Sequence, residues 1–74
     1  MEMHTFTAVL RREGDGWVSL CPELNVASQG DTVEHALAML REAVEGVLES
    51  APREEIEQRL GGQIFVTQFE AAYA

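Results

Sequence analysis

The chain has 74 residues, with thirteen Asp and Glu against five Arg and no Lys, for a formal charge of −8 at pH 7. Hydrophobic residues make up 46% of it, which excludes a disordered tail and leaves room for one small domain over residues 1–74. A duplex presents one negative charge per ~1.7 Å of axis and is bound largely through basic contacts to phosphate, so direct nucleic-acid binding is disfavoured; a basic protein partner, or plain solubility, suits such a surface better.

The N-terminal run Met-Glu-Met-His-Thr-Phe-Thr has neither the basic region nor the apolar stretch of a signal peptide. Nothing approaches the ~20 apolar residues of a membrane span, so no membrane partner and a cytoplasmic location are expected. The single cysteine, Cys21, excludes an internal disulfide and every multi-cysteine zinc pattern.

In chain order, His4–Arg12 reads as a strand, with His4, Phe6, Ala8 and Leu10 alternating against Thr5, Thr7, Val9 and Arg11. Glu13-Gly14-Asp15-Gly16 is a turn, and Trp17–Cys21 returns as a second strand that Pro22 brings to an end. Asn25–Gln29 forms a short third strand closed by Gly30. Asp31 or Thr32 then caps a helix running to about Glu49. Its apolar residues, Val33, Ala36, Leu37, Leu40, Ala43, Val44, Val47 and Leu48, fill an arc of about 140°, wide enough to face a core. Glu34, Arg41, Glu42, Glu45 and Glu49 lie opposite, on a face that is solvated or meets something basic. Pro52 opens a second short helix continuing over Arg53–Leu60, with Gly61 at its end. Gln63–Glu70 is a fourth strand, with Phe65, Thr67 and Phe69 on one side and Ile64 and Val66 on the other.

The expected class is therefore α+β, a two-layer β-β-β-α-(short α)-β sandwich. One long helix and one short one cover a single sheet face, yet the strands are apolar on both, as Val18 and Leu20 against Trp17 and Cys21 illustrate. An uncovered apolar face implies a homodimer or homotetramer, or another protein partner, unless the tail Ala71–Ala74 folds over it.

No catalytic, cofactor or metal site emerges. A metal-dependent nuclease needs several acids converging on a cation, and His4–Arg12 contains no Asp or Glu. Cys21 with His4 or His35 lacks the spacing of a nucleophile–base pair, and a lone strand cysteine is ordinarily a small buried hydrophobe. Gly46, inside the long helix, costs ~1 kcal/mol relative to Ala; it either admits another chain closely or is a tolerated weakness.

The segment Pro22-Glu23-Leu24-Asn25-Val26-Ala27-Ser28-Gln29-Gly30-Asp31-Thr32-Val33-Glu34 resembles the HicB-like antitoxin family. The likeness continues through Ala36-Leu37, Leu40-Arg41-Glu42-Ala43 and Leu48-Glu49; His35 replaces the family's usual second Glu, and Met39 stands where Asn is common. It covers roughly residues 3–50 and includes the Gly-Asp-Gly-Trp hairpin turn. The resemblance implies a partial ribonuclease-H-like fold without nuclease activity. It also implies a function: binding and neutralising a small basic mRNA-cleaving toxin of the HicA type. Many members carry a C-terminal DNA-binding domain; this chain ends directly after the fourth predicted strand, so operator binding is not implied. The expected partner-binding residues are Glu34, Glu45 and Glu49 along the helix, Glu23 and Asp31 flanking its entry loop, and Trp17 as an aromatic anchor, with a core tryptophan as the alternative. The other functional reading is a non-catalytic homo-oligomeric accessory domain without a toxin partner.

Overall fold

Gly14 reverses the chain at a φ of 58°, a left-handed conformation that residues with a Cβ rarely adopt. In the computed structural model, which describes residues 3–74, it joins β1 (Val9–Glu13) to β2 (Gly16–Cys21) as an antiparallel hairpin. A turn over residues 22–25, with Asn25 at φ 54°, leads into β3 (Val26–Gly30), antiparallel to β2. The sheet order is β1-β2-β3, which leaves β1 and β3 as edges.

The first strand begins at Val9, not at His4. Val9 lies opposite Leu20, and after Cys21 the partner strand enters the Pro22 turn, so nothing remains for residues 4–8 to pair with. Register assigns the faces. Leu10, Ser19 and Ser28 are aligned across the sheet, and the Ser19 hydroxyl donates to the Ala36 carbonyl at 2.9 Å, so this side meets the helical layer. Trp17, Cys21 and Val26 share it by period, while Val9, Val18 and Leu20 take the outer side.

Helix α1 (Val33–Ser50) starts at Thr32, the residue of the two candidates that fills the cap: its hydroxyl accepts from the His35 amide at 3.0 Å. His35 Nδ1 accepts from the Asp31 amide at 3.0 Å, a variant of the capping box in which the bond goes to the residue before the cap instead of to the cap itself. The helix ends where Pro52 disfavours helical backbone at the preceding residue, and Ala51 is extended. Helix α2 (Arg53–Leu60) follows, with Glu54 and Glu55 in its first turn and Arg59 in its last, as the helix dipole favours.

Helix α1 lies over β3 and β2 and scarcely reaches β1. Beneath it Cys21, Leu24, Leu40 and Val44 form the buried centre, with Phe6, Val26, Val47, Leu48 and Ile56 packed around them. Gly30 lets the layers touch: a Cβ there would stand 2.4 Å from the Ala36 amide nitrogen.

The class is α+β, with three antiparallel strands followed by two helices. The expected fourth strand, Gln63–Glu70, is not formed, because its alternating residues have no strand beside them to pair with. Residues 61–74 are exposed throughout, with Phe65 and Phe69 87% and 88% accessible. The tail therefore leaves the outer sheet face uncovered, and Val9 and Leu20 stay accessible there. Among the described residues no helix is long and apolar enough to cross a membrane.

Candidate functional site

Residues 3–8 continue β1 in irregular conformation, and one side chain ties them down. The Glu23 carboxylate accepts from the Thr7 amide at 3.0 and 3.1 Å and from its hydroxyl at 2.7 Å. Burial pushes the Glu23 carboxyl up, but the hydrogen bonds from Thr7, from its own backbone amide and from the Cys21 thiol together outweigh it and lower the group from its ordinary value. The Cys21 thiol, donating to the same carboxylate at 3.6 Å, is pushed up, first by burial. That is opposite to the activation a cysteine nucleophile needs.

Between the clipped segment and α1 lies a groove of about 1170 Å³. Phe6, Ala8, Leu37, Leu40, Val44 and Leu48 give it an apolar lining, while His4, Arg41, Glu42, Glu45 and Glu49 add charge or polarity. Such a surface suits a protein segment that presents apolar side chains and basic flanks.

The six expected partner-binding residues divide. Glu45 and Glu49 line the groove and are exposed. Glu34 is exposed on the same helical side, within about 60° of both but about 22 Å from Glu49 along the axis. Asp31 is exposed at the helix entry, where its backbone serves the cap. Glu23 is half-buried, and its carboxylate accepts three hydrogen bonds from Thr7, which gives it a role within the fold. Trp17, opposite Arg12 and Gly30, is half-buried on the helix-facing side of the sheet, at the end of the strand remote from Cys21 and Glu23. It is not among the side chains packed against the buried centre.

Gly46 has open space around its missing Cβ, so no close approach within this chain explains it. Sequence reasoning passed over Thr7, Ser19 and Arg59. The last donates from Nη1 to the Leu24 carbonyl at 2.8 Å and so moors α2 to the β2–β3 turn. Among the described residues no three His, Cys, Asp or Glu side chains gather as a set of metal ligands. Comparison with protein-family models, curated proteins and solved structures finds no match for the chain.

Proposed function

We propose that the protein is a HicB-like antitoxin module, with a partial ribonuclease-H-like fold, that binds and neutralises a small basic mRNA-cleaving toxin of the HicA type. The observation that carries this reading is the outward side of α1. There Glu34, Glu45 and Glu49 stand exposed in a chain of net charge −8, and two of them border an apolar groove. The residues of the family-like segment also fall in a consistent structural order: Pro22 and Glu23 in the turn, Ser28 on β3, Thr32 at the cap, and Leu40 and Ala43 within α1. Complementary charge would speed association and select the partner, and apolar contacts in the groove would supply most of the affinity.

The test is coexpression with a small basic reading frame adjacent to this one, followed by pull-down at low and high salt and an RNA-cleavage assay. The pair should associate, cleavage should stop, and Glu45→Lys with Glu49→Lys should slow binding and flatten its salt dependence. If the wild-type pair stays apart and cleavage continues, a non-catalytic homo-oligomeric accessory domain takes the place of the antitoxin.

A further inference from the structure

The fold leaves two features unmatched. One is the free edge of β1, with the groove beside it that α1 does not cover. The other is the tail, whose aromatic residues Phe65, Phe69 and Tyr73 are 87%, 88% and 99% accessible in their own chain.

The geometry points to a strand exchange between two copies of this chain, in which residues 63–70 of each copy pair along β1 of the other and seat Phe65 and Phe69 in its groove. The dimensions agree. Phe65 and Phe69 point the same way and stand ~13 Å apart in an extended strand. The groove follows α1 from Leu37 to Leu48, which is ~16 Å of helix. Charge selects the same occupant. Over residues 61–74 the sole charged side chain is Glu70, so the tail is the part of a −8 chain that approaches a second copy with least repulsion. The receiving edge carries Arg11 and Arg12, and the groove carries Arg41 beside Glu42, Glu45 and Glu49, so a nearly uncharged tail meets less repulsion there than an acidic segment would.

In its own chain the tail stands outside the groove, with Phe65 and Phe69 accessible. Arg59 moors the end of α2 to Leu24, and the tail leaves from there into solvent, in a molecule 47 Å long and 17 Å thin. Burying Phe65 and Phe69 at ~150–250 Å² each, reciprocally in two copies, removes ~600–1,000 Å² from the tails, and a comparable area lost from the two receiving grooves brings the total to the ~1,200–2,000 Å² of a specific interface. The exchange is isologous, so it closes as a two-fold dimer instead of propagating.

Sedimentation equilibrium of the full chain, from micromolar to hundreds of micromolar, should give twice the chain mass. Phe65→Asp with Phe69→Asp should weaken the dimer by about 100-fold or more while the far-ultraviolet circular dichroism persists, since neither residue supports the monomer. In a sample mixing differently labelled copies, intermolecular nuclear Overhauser contacts should join residues 63–70 to Leu37 and Leu48. A monomer at every concentration, a dimer indifferent to the double substitution, or contacts confined within one chain would each overturn the exchange. These measurements use the chain alone, so the exchange holds or fails apart from the antitoxin reading, which requires a toxin to displace the tails from the same groove.

Discussion

The Glu23 carboxylate holds Thr7, sixteen residues earlier in the chain, by its amide and its hydroxyl together. This clip replaces the strand pairing that the Pro22 turn denies to residues 4–8, and it sets the wall of the groove. Glu23→Ala should cost about 1–3 kcal/mol, reduced toward the lower end by partial exposure, and should accelerate hydrogen exchange at the Thr7 amide. Urea denaturation and exchange measured by nuclear magnetic resonance test both effects. A Thr7→Val and Glu23→Gln double-mutant cycle isolates the coupling between the two side chains.

Acid should loosen the same clip. Glu23 titrates below its ordinary value because Thr7, its own backbone amide and the Cys21 thiol hydrogen-bond the ionised form and together outweigh burial. A carboxyl depressed by folding contributes stability that is complete above its unfolded value and is lost as pH falls through the folded one. Wild-type stability should therefore decline below about pH 4.5, the unperturbed glutamate value. Glu23→Gln should show a shallower decline across the same window in denaturant titrations. Equal slopes for the two proteins would remove Glu23 from the acid response.

Gly30 fails to tolerate even a methyl group. The obstacle, at 2.4 Å, is the backbone nitrogen of Ala36, which cannot rotate away as a side chain would. Gly30→Ala should lift the first turns of α1 from the sheet and cost about 1–3 kcal/mol or more. In a domain this small each kcal/mol lowers Tm by roughly 4–8 °C, which calorimetry resolves easily.

Ser19 is wholly buried, and its one hydroxyl bond goes to Ala36. Ser19→Ala deletes that bond without stranding its acceptor, which remains inside the helical ladder, so a loss of about 1 kcal/mol is expected. Ser19→Val adds bulk beneath α1 and should cost more. The order of the two variants in thermal melts distinguishes packing from hydrogen bonding at this contact.

Gly46 should behave in the opposite sense. With nothing near its missing Cβ, Gly46→Ala should stabilise the monomer by about 1 kcal/mol. A gain in Tm without change in self-association fits open solvent there; loss of the oligomer would place another copy against it.

The helices were the most legible elements, because a 3.6-residue period, Thr32 and Pro52 fix length and ends with local rules alone. Strand type was legible too, but partners were not. Alternation gave residues 63–70 the pattern of a strand, yet a pattern names a face and not the neighbour across the ladder. The same limit moved the start of β1 from His4 to Val9, since it depends on where the opposite strand turns. At the candidate site the exposed glutamates of α1 were readable from the helical period. The Glu23–Thr7 clip was not legible, because nothing in the spacing of an acid and a distant Thr announces a hydrogen bond. Trp17 was read both ways, and only the strand register shows which side of the sheet it takes.

Because the sheet order β1-β2-β3 repeats the chain order and α1 follows directly onto β3, consecutive elements are also neighbours in space. A small domain of mixed strands and helices folds between the roughly microsecond-to-millisecond range of helical bundles and the millisecond-to-second range of all-β domains. Refolding of the body in stopped-flow or temperature-jump experiments should then be a single exponential whose rate ignores protein concentration. Any slower, concentration-dependent phase would report the later meeting of two already folded chains.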